Sequence, residues 1–176
     1  MAIENVVMDW GTWLYGETPH GADNFMNIRD GTNVLMHFPA LITHNVIVRV
    51  IFRYKVTVLD GTQVIANAWQ CTRQANANAT LYSSGITDWS ALGAMGEPGD
   101  HPSESLLAGT TEDMSISLGW NSFTITRLNQ FYDMMNGYRQ MLVRASNAPW
   151  AQITKAELPY FEVEYRSTPI GGIQIF

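Results

Sequence analysis

Apolar and polar residues alternate along much of this chain. The alternation is clearest in residues 45–59, and a period of two is typical of a β-strand with one buried face. The residues expected to face a core here are Val46, Val48, Val50, Phe52, Tyr54, Val56 and Val58. Other strand-like segments are residues 25–29, 33–38, 63–71, 114–125, 139–145 and 160–166. The pattern predicts a protein built mainly from β-strands.

Two Asp-Gly pairs separate consecutive predicted strands. Asp-Gly is common in two-residue β-hairpin turns, because both residues tolerate the positive φ that these turns require. We therefore expect Asp30-Gly31 and Asp60-Gly61 each to join two paired strands. Residues 63–71 would then be the return strand of the second hairpin.

One short helix is expected near residues 127–136. Its apolar residues recur with helical spacing, at Leu128, Phe131, Tyr132 and Met135. Thr126 is a suitable N-cap residue, and Asn136-Gly137 is suited to end the helix. Many short strands with a lone helix predict an all-β fold, an antiparallel, jelly-roll-like β-sandwich.

The chain is expected to form a single domain over residues 1–176, with terminal arms at residues 1–10 and 167–176. No repeat or linker divides it. Residues 83–111 are rich in glycine and proline but also carry large apolar residues. Because these apolar residues can hold it in place, we expect this stretch to be an ordered excursion along one edge or end of the sandwich. Long irregular segments in compact domains are usually functional.

Composition excludes several classes of protein. Charged residues are only 15% of the chain, its net charge is −6, and it has ten Lys and Arg residues against sixteen Asp and Glu. Nucleic-acid binding is therefore not expected, because phosphate neutralisation needs clustered basic residues. Six Trp, seven Tyr and seven Phe supply enough apolar surface to exclude a disordered chain. Cys71 is alone, so no disulfide can form within the chain.

Targeting signals are not evident. Residues 1–5 lack the basic and apolar regions of a secretory leader, so we expect the protein to be made without one. The most apolar run, residues 46–52, is far shorter than the roughly 20 residues of a membrane span, and no membrane association is expected.

Four stretches occur in an order that resembles a known family. They are TWLY (12–15) with PHGAD (19–23) and MNI (26–28), NVLMHF (33–38), GWNSFTIT (119–126) and ITKAELPYFEVEY (153–165). Together they resemble the disaggregatase-related (DNRLRE-type) β-sandwich domains, jelly-roll modules akin to carbohydrate-binding modules. The family often has Arg before the closing Pro, where this chain has Leu158. Similar sandwiches also occur in phage particles, so the resemblance implies a binding or structural role.

Motifs of catalysis are missing from the sequence. The four histidines lack metal-ligand spacing such as HExxH, and neither a GxSxG elbow nor a phosphate-binding loop is present. We therefore expect a non-enzymatic protein without a cofactor. The acidic segment 97–104 offers oxygen ligands, so a structural Ca²⁺ remains open there, although its spacing differs from that of an EF-hand loop.

Aromatic and terminal residues are the candidate binding residues. One interpretation is a sugar-stacking platform formed by Trp69, Trp89, Trp120 and Trp150 with Tyr82, Tyr138 and Tyr160. The other follows from alternation, which assigns Trp120, Phe123 and Phe161 to the core. Trp13, Trp89 and Trp150 lie in turn-rich surroundings and are the candidates for a surface site that contacts glycan or protein. The apolar C-terminus adds the interface candidates Ile170, Ile173, Ile175 and Phe176. Apolar ends dock either on their own domain or on a neighbouring subunit, and we favour the neighbour.

These expectations combine into one function. We expect a virion structural protein, a capsid decoration (cement) protein of a tailed phage, assembled in the host cytoplasm. It would bind the major capsid protein and copies of itself, as a homo-oligomer such as a trimer. The alternative is a carbohydrate-binding module, or a phage tail or adsorption protein that binds host glycans.

Overall fold

The computed structural model describes residues 1–30, 32–42, 46–61, 63–107, 114–146 and 149–166. Within them the chain forms eleven β-strands and one α-helix. In chain order these are β1 (Ala2–Val7), β2 (Trp10–Leu14), β3 (Phe25–Ile28), β4 (Asn33–His37), β5 (Val46–Asp60), β6 (Val64–Gln70), β7 (Met114–Ile116), β8 (Gly119–Thr124), α1 (Leu128–Asn136), β9 (Gln140–Ala145), β10 (Trp150–Thr154) and β11 (Tyr160–Arg166). No helix in these ranges is long and apolar enough to cross a membrane.

The strands form two antiparallel sheets that pack against each other. The first sheet has the order β1-β11-β5-β10-β3, and β8 pairs with the other edge of β5. The second sheet has the order β2-β4-β9-β6-β7. Between them lies an apolar core in which Phe38 contacts Phe52 and Phe161, with ring centroids 6.2 and 4.3 Å apart. The prediction of an antiparallel β-sandwich is confirmed.

The long strand β5 organises the first sheet, because β10 and β11 follow one another along one of its edges. The residues of its middle part that are buried as predicted are Val50, Phe52, Tyr54 and Val56. The prediction is wrong at the ends, where Val46 and Val58 are exposed and Ile47 is buried instead. The register shifts once against β11 and once against β10. Such bulges insert a residue and move the following side chains to the other face.

Neither Asp-Gly pair forms the expected hairpin. Strands β3 and β4 belong to different sheets, as do β5 and β6. The chain does turn sharply at both places: the Thr32 amide donates to the Arg29 carbonyl at 3.1 Å, and Gly61 has a φ of +91°. The turn sequence thus specifies a reversal of direction, while the second strand leaves to join partners in the opposite sheet.

The predicted helix is confirmed as α1, which packs on β5, β6 and β9 through buried residues that include Phe131. Its ends differ from the prediction. The N-cap is Arg127, not Thr126, and the Arg127 side chain makes no capping hydrogen bond. Gly137 follows the helix with a φ of −91°, and the left-handed residue is Arg139, at +56°.

The N-terminal segment is part of the sandwich. Residues 2–7, expected within a terminal arm, are strand β1 and pair with β11 along their whole length. Of the two docking modes open to an apolar end, this segment therefore packs on its own domain. The C-terminal arm 167–176, with its four interface candidates, lies outside the described residues.

A second, smaller apolar cluster lies on the far side of the second sheet. Leu14, Leu35 and Leu142 project from β2, β4 and β9 and pack with Ala79 and Trp89 of the long loop. The segment from residue 71 to residue 94 therefore covers the outer face of the second sheet, where no covering loop was predicted. Leu106 and Leu107 instead pack in the main core, and the Leu106 amide donates to the Ala68 carbonyl of β6 at 2.8 Å. The covering loop leaves the outer face of the first sheet as the sheet face that is open to solvent.

Candidate functional site

Trp13 is an internal anchor and not a surface residue. Only 7% of it is exposed, and its indole Nε1 donates to Asp23 Oδ2 at 3.0 Å. Its ring stacks on His20, with centroids 4.0 Å apart, and on Tyr15. The Arg29 guanidinium lies 4.1 Å from the Tyr15 centroid. Trp13 therefore holds the loop after β2 against the sandwich and offers little surface to a partner.

Trp89 is also buried, with 7% exposure, and its Nε1 donates to the Thr80 carbonyl at 2.9 Å. It anchors the long loop over the second sheet. Trp150 begins β10, pairs with Asp60 and is half-buried. The three candidate tryptophans are thus not brought together in a single surface site. Turn-rich sequence shows that an indole lies near a loop, but not whether it faces solvent or fastens the loop to the core.

Trp120 is exposed, whereas alternation assigned it to the core. The exposed fraction of this residue is 52%. Gly119 has a φ of +94° at the start of β8, between two exposed apolar residues, Leu118 and Trp120. The alternating side chains of β8 that are more buried are Asn121 and Phe123. The alternation therefore changes phase at Gly119, and Trp120 faces outward. The period of the residues before Gly119 does not predict which residues after it are buried.

Exposed apolar residues cross the outer face of the first sheet. Trp120 of β8 lies opposite Lys55 of β5, and its ring centroid is 6.4 Å from that of Tyr160 on β11. Val7 of β1 is the cross-strand partner of Tyr160, and Ile3 lies further along β1. We call Trp120, Tyr160, Val7 and Ile3 the outer band. Trp120, Val7 and Ile3 are 52, 42 and 63% exposed.

Ion pairs border the outer band. Arg49 Nε lies 2.8 Å from Glu164 Oε2, and Arg53 Nε lies 3.1 Å from Glu162 Oε2. Lys55 pairs with Glu157. The two glutamates of β11 are therefore matched by arginines on β5. Such exposed pairs contribute little stability, but they leave this face nearly neutral.

Asp100 organises the loop that covers the second sheet. Its side chain is fully buried, and its two carboxylate oxygens accept hydrogen bonds from the amides of Ser90, Ala91 and Gly96 at 2.9–3.1 Å. Arg73 Nε donates to the same carboxylate at 2.8 Å. Burial alone would raise the pKa of Asp100, but the donated N–H groups outweigh it and hold the pKa below its usual value. Asp100 therefore stays charged and holds the loop in place through these hydrogen bonds.

Beside Arg73 the loop forms a surface cleft of about 370 Å³. Residues that line this loop cleft are Thr72, Arg73, Gln74, Ile86, Thr87 and Tyr138. Arg73 lines the cleft, and its Nε is held by Asp100. None of the tryptophans singled out from the sequence lines the cleft, and no local motif marks it, since its walls come from separate turns and from the residue after Gly137.

Two histidines pair with carboxylates, and each also stacks on an aromatic ring. His20 Nδ1 lies 2.9 Å from Asp23 Oδ2, and His37 Nδ1 lies 3.0 Å from Asp9 Oδ2. The His37 ring is parallel to that of Trp10, with centroids 5.3 Å apart. Burial lowers the pKa of His37, against the opposing effect of Asp9. The first contact lies within the loop between β2 and β3, and the second joins the end of β4 to the turn between β1 and β2.

Metal ligands are not assembled in the described part of the chain, where no three His, Cys, Asp or Glu side chains come together. The acidic segment 97–104 illustrates the reason. Its buried carboxylate, Asp100, faces N–H donors and Arg73, and these already occupy both oxygens. The Glu104 carboxylate instead accepts a hydrogen bond from Gln130.

Comparison with protein-family models and with curated proteins finds no match to this chain. The resemblance to DNRLRE-type domains therefore rests on the sequence stretches alone and stays a prediction.

Proposed function

We propose that the chain is a non-enzymatic structural protein of a virus particle, a decoration protein that packs on the capsid shell. The observation that carries this proposal is the outer band. It places two aromatic and two aliphatic side chains on a sheet face that no other part of the described chain covers.

The outer band has the chemistry of a protein interface. Aromatic residues are enriched in interfaces, whereas lysine is depleted, and this chain has only Lys55 and Lys155. The arginines beside the band are matched by glutamates, so a partner would meet a nearly neutral surface. Because the band lies on hydrogen-bonded strands, it needs little ordering on binding, which favours affinity.

The edge strand β1 supports contacts between copies of the chain. In the described residues β1 pairs on one side only, with β11. An edge strand offers backbone donors and acceptors to another strand. A homo-oligomer, such as the expected trimer, would use this edge while the outer band contacts the major capsid protein.

The proposal is tested on virus particles purified from the native source of the chain. Quantitative mass spectrometry should find the chain in a fixed ratio to the major capsid protein. Recombinant chain added to particles that lack it should bind, and Trp120→Ser should weaken this binding by about tenfold, the loss expected for an aromatic anchor.

The matched control is Tyr82→Ser, because Tyr82 is also about half exposed but lies on the long loop beside the second sheet. It should bind particles like the wild type. The proposal is refuted if purified particles contain none of the chain, or if Trp120→Ser and Tyr82→Ser bind equally well.

A further inference from the structure

The loop cleft lies on the opposite side of the sandwich from the outer band. Its walls belong to the loop that covers the second sheet, together with Tyr138 after α1. A chain that packs on a shell through the first sheet would therefore present the cleft outward. We propose that the loop cleft binds a neutral sugar unit of a glycan. This inference is independent of the decoration role and is tested separately.

Arg73 is a polar group of the cleft that two other side chains hold. Its Nε donates to Asp100, and one terminal nitrogen lies 3.3 Å from Thr87 Oγ1. A guanidinium has five N–H donors, and these two contacts leave others for a ligand. Because Asp100 is buried and is itself fixed by three backbone amides, the donors of Arg73 are held in place before a ligand arrives.

Charge decides between ligand classes. The Arg73–Asp100 pair has no net charge, and the chain as a whole has a net charge of −6. A phosphate or a carboxylate would meet one arginine that is already neutralised, in a repulsive overall field. Hydroxyl oxygens, in contrast, need donors but no net positive charge. The cleft therefore suits a neutral, hydroxyl-rich ligand.

The other lining residues combine polar and apolar groups, as a pyranose ring does. Gln74 supplies an amide, and the Thr72 and Thr87 hydroxyls, which already bond Pro98 and Arg73, keep further hydrogen-bonding capacity. Ile86 and Tyr138, which are 52 and 44% exposed, supply apolar surface on which the C–H face of a sugar can pack. A volume of about 370 Å³ lies near the lower limit of small-molecule sites, which fits one terminal sugar unit and not a long chain.

Saturation-transfer-difference NMR on the full chain is the test. The probes are the methyl glycosides of glucose, galactose, mannose and N-acetylglucosamine at millimolar concentration, with glucuronic acid and inorganic phosphate as the anionic comparison. We expect transfer to at least one neutral glycoside and none to the anions. Tyr138→Ala and Gln74→Ala should each lower the affinity, with Tyr138→Ala weaker by about tenfold.

Tyr82→Ala is the matched control, since Tyr82 is 48% exposed on the same loop but does not line the cleft. It should bind like the wild type. No transfer to any of the four neutral glycosides overturns the proposal. Binding that survives both Tyr138→Ala and Gln74→Ala refutes its location, and binding of the anions alone refutes its ligand class. None of these results depends on virus particles or on Trp120, so each proposal can fail alone.

Discussion

Replacing Asp100 by Asn should destabilise the loop over the second sheet more than any surface substitution there. One carboxylate oxygen accepts the Ala91 and Gly96 amides at 3.1 and 2.9 Å, and the other accepts Ser90 N at 3.0 Å and Arg73 Nε at 2.8 Å. In Asn one oxygen becomes an NH₂ group, which would face two donors whichever way the amide is turned.

The size of the effect follows from the lost bonds. A hydrogen bond to a charged group contributes about 1.5–3 kcal/mol, so losing two costs about 3–6 kcal/mol. Water can solvate part of Arg73, whose side chain is 29% exposed. We therefore expect a loss at the lower end, about 3–4 kcal/mol, which is a large part of the typical stability of a domain.

Urea unfolding and amide hydrogen exchange at Ser90, Ala91 and Gly96 measure this loss, because the loop can open without global unfolding. Asp88→Asn is the control: Asp88 is exposed on the same loop, and its substitution should change stability by less than about 0.5 kcal/mol. The reasoning is refuted if Asp100→Asn costs less than about 1 kcal/mol and leaves the exchange of all three amides unchanged.

Acid provides a second test of the same residue. The pKa of Asp100 is lowered in the folded chain, so its charge stabilises the fold at neutral pH, and this contribution is lost as the pH falls below the ordinary aspartate value of about 4. The difference in stability between the wild type and Asp100→Asn should therefore narrow on acidification. A constant difference down to about pH 2 would contradict the assignment.

Three further outcomes are expected. Phe52→Ala should cost about 3–5 kcal/mol in denaturant unfolding, because the Phe52 side chain is fully buried among aromatic rings; a cost below about 1 kcal/mol would contradict this packing. Burial raises the pKa of the Cys71 thiol to about 12, so a thiol reagent at about pH 8 should label the unfolded chain but not the folded one. Because burial lowers the pKa of His37, the unfolded state takes up its proton more readily, and wild-type stability should fall below about pH 6.5. His37→Gln should lack this part of the pH dependence, and identical pH profiles would show that His37 is not its source.

Local sequence patterns predicted where the helix and strands lie better than they predicted which strands pair. The sequence predicts α1 and most strands within a few residues, because periodicity reflects which face of a segment is buried. The same period failed at Val46 and Val58 of β5, where bulges change the phase. The Asp-Gly pair at residues 60–61 wrongly predicted that β5 and β6 pair, because neither a turn nor an alternating pattern shows which sheet the next strand joins.

The candidate site residues show the same limit of local sequence patterns. Sequence could identify tryptophans near turns, but whether an indole is exposed depends on what the fold places above it. Trp13 and Trp89 find hydrogen-bond acceptors inside the molecule and become anchors. Trp120, assigned to the core, turns outward at Gly119. The cleft beside Arg73 has no signature, because the residues that form it are distant in sequence.

By itself the sequence determined that this chain is a β-rich domain with a low charge density, a lone cysteine and one short helix, because composition and period are local properties. Only the tertiary structure decided that β1 forms an edge of the first sheet, that the long loop covers the outer face of the second sheet, and that Asp100 holds this loop. These features depend on contacts between residues far apart in the chain, and no local pattern records which distant residues will meet.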